Sequence, residues 1–244
     1  MADLCLTADV MVDRILVVQG FTVSAATAAQ RIDALARLND GYRRFLRGDY
    51  LDVDGHVQVH DWSFLKVWAT LELVDGTGTY SAPAGFGGLP KPFIYDYVSG
   101  TNFDEIEMRG PETVERLQRD SAEEGTASSV AVQPLTFVAA TGQRWQFYFD
   151  PVPDTDRTVN VRYRLLGTAL TDSNTVYPQG GTEFCDIILQ AGKAEYERLS
   201  SGASGPEEGT YNVFMRAGVA RDRASFSDDD GPENIAEADV GYTV

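Results

Sequence analysis

The hydrophobic residues of this chain change their period twice. From Thr22 or Ser24 as a cap, Ala29, Ile32, Leu35, Leu38, Tyr42, Phe45 and Leu46 recur mostly at three- and four-residue steps, and Gly48 follows as a C′ residue. That is the stripe of a long amphipathic helix. From Trp62 the step becomes two. Ala69, Leu71 and Leu73 alternate with Thr70 and Glu72, and Trp145, Phe147 and Phe149 repeat the pattern. So do Val159, Val161, Tyr163 and Leu165 against Asn160, Arg162 and Arg164, as half-buried strands require. After Pro178 the helical step returns. Thr182 is placed to cap a segment in which Phe184, Ile187, Ile188, Ala191, Ala194 and Leu199 lie close to one stripe. Pro206 suits the first turn of a further helix carrying Tyr211, Phe214, Met215, Gly218 and Val219.

A shorter apolar face, Val10, Met11, Ile15 and Val18, follows Thr7 and stops at Gly20. Each of these helices has one face to bury, so the simplest solution packs the N-terminal pair on the C-terminal pair. The pattern predicts an α+β chain: a helical bundle from both chain ends with an inserted antiparallel β-sandwich or barrel domain. The boundaries fall at 1–61 for the N-terminal helices, 62–171 for the β domain, 172–225 for the C-terminal helices and 226–244 for an acidic, flexible tail. Within the β region "GPETVERLQRDS" reads as one short helix.

With 43% apolar and 11% aromatic residues, 244 residues are ample for a packed core. No apolar run approaches the ~20 residues that span a bilayer, and "MADLCLTADVMVDR" carries aspartates where a signal peptide has a basic region. These features predict a protein made in a cytoplasm-like compartment, with no membrane partner. The net charge of −17, from 37 acidic and 20 basic residues, opposes general affinity for nucleic acid. Cys5 and Cys185 belong to no CxxC or Cys/His cluster, so they read as buried thiols, without zinc or a disulfide framework.

"YSAPAGFGGLPKPF" gathers Gly85, Gly87 and Gly88 among prolines. A phosphate loop hands its glycines straight to a helix. Here Pro90, Pro92 and a β-rich run follow instead, so the loop reads as a bend between one strand and the next. In "DVDGHVQVHD", His56 and His60 stand four apart, but Asp52, Asp54 and Gly55 before Val57 and Val59 indicate a turn and a strand. A strand would put both imidazoles on one face with no third metal ligand set by spacing. Tested as calcium loops, the same stretch has Tyr50 and the tail has Phe226 where the first Asp belongs. Asp104, Glu105 and Glu107 suggest glycosidase carboxylates only if a cleft exists. No Gly-x-Ser-x-Gly elbow occurs. We therefore expect no catalytic residues, no cofactor and no metal.

Arg37, Arg43, Arg44 and Arg47 crowd one end of the second helix, either as a solvated face helped by the helix dipole or as a docking surface for an acidic partner. In the tail, Val240, Tyr242 and Val244 alternate behind an acidic run. Such a segment is either solubilising charge or a strand that adds to a neighbour's sheet.

The order "ARLNDGYRRFLRG", "HDWSFLKVWATLEL", "YSAPAGFGGL", "FYFDPVPDTDRTVNVRYRLLG" and "YPQGGTEFCDIILQAGKAEYE" resembles the head-to-tail adaptor (connector) proteins of tailed bacteriophages, over Asp9 to about Asp222. The resemblance implies a virion structural protein without enzymatic activity, built as a bundle carrying a β domain. It further implies a homo-oligomeric ring, a dodecamer, below the portal protein and above a tail or nozzle protein, assembled in the host cytoplasm. DNA would pass through without specific binding. The long acidic tail and the extended glycine loop depart from the family pattern. The interface residues would be Arg37, Arg43, Arg44, Arg47, Tyr242 and Val244. The alternative is a soluble carbohydrate-binding β-sandwich using Trp62, Trp68 or Trp145 as stacking platforms.

Overall fold

A computed structural model describes residues 5–95, 105–120, 124–140 and 142–225. The chain begins with helices α1 (Ala8–Val18) and α2 (Ala28–Arg47) and strands β1 (Asp49–Leu51) and β2 (Val57–Val59). Strands β3 (Lys66–Leu73), β4 (Thr79–Ser81), β5 (Phe93–Tyr95) and β6 (Glu105–Met108) lead to helix α3 (Pro111–Asp120). Then come β7 (Glu124–Gly125), β8 (Ser129–Pro134), β9 (Trp145–Asp150), β10 (Val152–Pro153) and β11 (Arg157–Arg164). Helices α4 (Cys185–Ser201) and α5 (Pro206–Ser225) close the described chain. These elements form two compact units, Met1–Ser63 with Ala169–Val244, and Phe64–Thr168.

In the first unit α4 is the central helix. Ile187, Ile188, Leu189, Ala191, Gly192 and Ala194 are all buried, as are Met11, Val12, Ile15 and Leu16 of α1. Helix α2 lies against α4 at very short range, because Gly41 faces the Ala191–Gly192 backbone and a Cβ there would stand 2.4 Å from it. The buried stripe of α2 is Ala34, Leu38, Gly41, Tyr42 and Phe45. It is rotated from the stripe read in the sequence: Ile32 is 67% exposed, while Leu35 is half-buried. A glycine carries no hydropathy signal, yet Gly41 marks the closest contact. The cap is Thr27, not Thr22 or Ser24. Its hydroxyl accepts from the Gln30 amide while Gln30 Oε1 accepts from the Thr27 amide, a capping box. Likewise a short 3₁₀ turn takes up Thr182–Phe184, and α4 starts at Cys185.

The second unit is built on one seven-stranded sheet in the order β3-β11-β5-β6-β8-β9-β4. It is a single curled sheet rather than a two-sheet sandwich. Its consecutive strands β3 and β4 occupy opposite edges and are joined only by residues 74–78. At roughly 4.8 Å per strand spacing, a flat sheet of this size measures about 29 Å between its edge strands. The six steps from Leu73 to Thr79 reach at most about 20 Å, so the sheet must curl. It does so around one core. Leu73, Phe86, Phe93, Ile106, Val130, Phe147, Phe149, Val159 and Val161 all pack into the same cluster. The predicted period-two residues of β3, β9 and β11 are those that face it.

The sheet is not wholly antiparallel. Strands β6 and β8 pair in parallel, and the intervening α3, with Val114 fully buried, makes the crossover between them possible. The glycine loop does connect successive strands, but β4 and β5 are not neighbours in the sheet. The segment instead runs beside the end of β11: the Gly87 amide donates to Arg164 O at 2.7 Å, and Arg164 N donates to Gly88 O at 2.8 Å. Phe86 is thereby inserted into the core, stacked on Tyr163 and edge-on to Phe147.

Candidate functional site

A connected assembly of charged and polar side chains lies in the helical unit, where the C-terminal part of α2 meets α4 and α5. Arg44 is its centre. The guanidinium forks onto the two oxygens of Glu208 and lies 3.8 Å from Glu195, with its face 4.4 Å above the Tyr211 ring. All three charged side chains are shielded from solvent. Arg44 holds the Glu208 carboxyl below its ordinary value against the opposing effect of burial. Arg198 pairs with Glu195 as well, and Gln190 Nε2 donates to Glu207. Tyr211 completes the network by donating to Asp49 O at 2.9 Å; burial pushes its hydroxyl well above the usual phenol range.

The other arginines of the predicted cluster lie nearer the surface. Arg37 pairs with Asp33 at 2.8 Å, Arg43 with Asp40 at 3.2 Å and Arg47 with Asp49 at 3.0 Å. The structure thus separates the four: Arg44 points inward, while Arg37, Arg43 and Arg47 stay on the outside beside acidic partners. Tyr242 and Val244 lie outside the described residues, as does the whole predicted tail strand.

A second network, invisible in the sequence, sits at the end of α2. Gly48, with φ at 78°, closes that helix so tightly that a Cβ would meet His60 O at 2.0 Å. His60 N donates to Gly48 O, and His60 Nε2 lies 2.8 Å from Asp222 Oδ2. The Ser63 amide and hydroxyl both donate to the same carboxylate. Between these residues Trp62 is fully buried, donates from Nε1 to Phe45 O at 2.6 Å, and packs tilted against the Phe45 ring and edge-on to Phe184. Ser, His and Asp are all present, but in the wrong order for nucleophilic catalysis. A relay requires the imidazole between acid and hydroxyl; here the carboxylate stands between, so the Ser63 hydroxyl donates to Asp222 and not to the His60 imidazole.

The remaining sequence candidates resolve individually. His56 is exposed beside Asp52, whereas His60 is buried on Asp222, so the two imidazoles serve different partners. The Asp52 carboxylate accepts from the His56 and Asp54 amides and from Gln58, making the turn of the β1–β2 hairpin. Glu107 pairs with Arg109 at 2.6 Å on the surface, Glu105 is exposed, and Asp104 lies outside the described residues. Of the tryptophans, Trp62 has no open face, Trp145 is half-buried against Phe86, and Trp68 is exposed with Arg162 5.9 Å above its ring. Among the described residues no helix is long and apolar enough to cross a membrane.

Two long-range clasps complete the helical unit. Asn39 exchanges hydrogen bonds with both backbone groups of Leu170, and Arg31 joins Asp13 and Asp172. The polar groups on these helices act on one another, tying sequence-distant segments into one body. The family model described as SU10 adaptor protein matches residues 13–225, and the chain belongs to that family of phage head-to-tail adaptors. The resemblance read from the order of its segments is borne out. The family name points to a virion component with a structural rather than an enzymatic role. No curated protein matches the chain.

Proposed function

We propose that copies of this chain form a closed ring, a dodecamer, at the head-to-tail junction of a tailed phage, below the portal protein and above a tail or nozzle protein. The observation that carries this reading is the family match over 13–225, which takes in the described helical elements from most of α1 onward and the whole β unit. In this reading the helices from both chain ends are a bundle into which the β domain is inserted, and DNA passes the ring without specific binding. The net charge of −17 supports that passage, since an acidic lumen repels phosphates. Assembly takes place in the host cytoplasm.

A ring needs two different faces that fit one another head to tail. Two grooves of the helical unit supply complementary chemistry. One lies between α1 and α4, with Val10, Val17, Val18 and Leu189 edged by Asp13, Arg14 and Lys193, a rim with one more basic than acidic side chain. The other lies between α4 and α5, with Ile187, Phe214 and Ala217 edged by Glu183, Asp186 and Arg221, a rim with one more acidic than basic side chain. Val17 and Phe214 are apolar and solvent-exposed, and a neighbouring copy would cover them. Arg37, Arg43 and Arg47, with Tyr242 and Val244 of the tail, are left for the portal.

Mass measurement of the purified protein with and without its portal, followed by negative-stain imaging, tests the reading. A ring seated on the portal is the expected result. A chain that stays monomeric with the portal present overturns it. Lys193→Glu should weaken the ring and Asp186→Lys in the same chain should restore it. Deleting the residues after Phe226 should weaken portal attachment if the tail is a tether, and full attachment across a range of salt leaves it as solvated charge.

A further inference from the structure

We propose that Cys5 and Cys185 form an intramolecular disulfide when the protein meets a small-molecule disulfide, stapling the N-terminal segment to the first residue of α4. The two cysteines are 180 positions apart, and their Sγ atoms stand 2.6 Å from each other. Non-bonded carbon atoms pack about 3.5–4.0 Å apart and sulfur is larger than carbon, whereas an S–S bond measures about 2.04 Å, so bond formation asks for a shift well under 1 Å. The pair is held in place from both sides. The start of α1 is pinned to the segment before α4 by Ala8 N donating to Val176 O at 2.9 Å and Asp9 N donating to Ser173 O at 3.4 Å. Cys185 is only 2% exposed, and its thiol also faces Gly181 O at 3.3 Å.

The environment also sets the order of events. Burial, helped by the hydrogen bond with Cys5, pushes the Cys185 thiol up to about 12, which keeps it protonated and inert by itself. Cys5 is half-buried, so a small disulfide RSSR reaches it first. The Cys5 sulfur attacks one sulfur of RSSR, forming Cys5–S–S–R and releasing the first RS⁻, which takes up a proton as RSH. Cys185 loses its proton to water and its thiolate, now beside the mixed disulfide, attacks the Cys5 sulfur; the second RS⁻ departs and takes up a proton as RSH. The balance is two protein thiols oxidised by two electrons and one RSSR reduced to two RSH. In a reducing cytoplasm the pair stays a dithiol, and it closes after release into an oxidising medium. This timing rests on the virion reading above; the bond does not.

The test uses the full-length protein, reduced and then exposed to oxidised glutathione, with thiol titration after denaturation, intact mass and peptide mapping. The expected result is loss of both thiols, a mass lower by two hydrogens, no retained glutathione, and a Cys5 peptide joined to a Cys185 peptide. Cys185→Ser should instead accumulate the Cys5–glutathione adduct. Retention of both thiols, a stable glutathione adduct on the unaltered protein, or Cys5-linked dimers overturns the proposal. Alkylation of virions and of infected-cell lysate separates the two parts: a dithiol in released virions overturns the timing, while the purified protein alone decides the chemistry.

Discussion

Gly41→Ala should destabilise the helical unit although alanine is the better helix former. The added Cβ would stand 2.4 Å from the Ala191 carbonyl carbon and the Gly192 nitrogen, and 2.7 Å from Ala191 O. All three are backbone atoms, so no side chain can swing aside, and reaching ordinary contact of about 3.5 Å requires α2 and α4 to part by roughly 1 Å. That separation loosens Leu38, Tyr42 and Phe45, which are buried on the same face. Overpacking of a core costs about 1–3 kcal/mol, occasionally more, and a backbone clash belongs at the upper end. Against it stands a gain of about 0.5–1 kcal/mol for replacing a mid-helix glycine. The net expectation is a loss of about 2 kcal/mol or more.

Gly209→Ala in α5 is the control. A Cβ there meets nothing within 4 Å, so the same substitution should stabilise by about 0.5–1 kcal/mol. Urea unfolding followed by Trp62 fluorescence, with Trp68 and Trp145 replaced by Phe, reports on the helical unit alone. Equal midpoints for the two variants, or a rise for Gly41→Ala, would refute the close helix crossing.

Three further outcomes follow from the same geometry. Arg44→Met leaves Glu208 and Glu195 shielded without their shared cation and should cost about 3 kcal/mol in the same assay; an unchanged midpoint would mean that the carboxylates reach solvent. Phe86→Ala should cost about 3–5 kcal/mol in the β unit, read as an earlier Trp145 transition, because Phe86 is only 4% exposed and touches Trp145, Phe147 and Tyr163. Burial would raise the Asp222 carboxyl, but hydrogen bonds from His60 and Ser63 outweigh it and lower its value. Its contribution is therefore full above the unfolded aspartate value, about 3.9, and lost as pH falls through the lower folded value. Asp222→Asn should accordingly flatten the acid limb of the stability–pH curve. A limb as steep as in the unaltered protein would show that Asp222 does not titrate with folding.

Much of the secondary structure was legible because it rests on local patterns. The period-two runs of β3, β9 and β11 and the helical runs of α4 and α5 are where the spacing puts them, and Pro206 opens α5. So was the hairpin turn at Asp52, whose carboxylate binds amides only two and four residues on. Helix starts were misread where two small polar residues competed: only Thr27 has Gln30 three residues on to close the box. Ile32 looked like core because hydropathy counts a side chain's character and not what stands opposite. The face of α2 that was buried is the one on which Gly41 lets α4 approach.

What the sequence by itself determined is the set of elements, their order, and the acidic surface, since propensity, periodicity and charge are properties of neighbouring residues. What only the tertiary structure decided are the pairings across long separations. It sent Arg44 inward to Glu208 while Arg43 stayed outside, set Asp222 between His60 and Ser63, and brought Cys5 against Cys185. It also carried β3 and β4 to opposite edges of one curled sheet. Each of these depends on which faces meet when apolar stripes are buried together. That is settled by the close packing of the whole core, in which a single missing side chain at Gly41 or a single inserted ring at Phe86 fixes the distance and register of everything beside it.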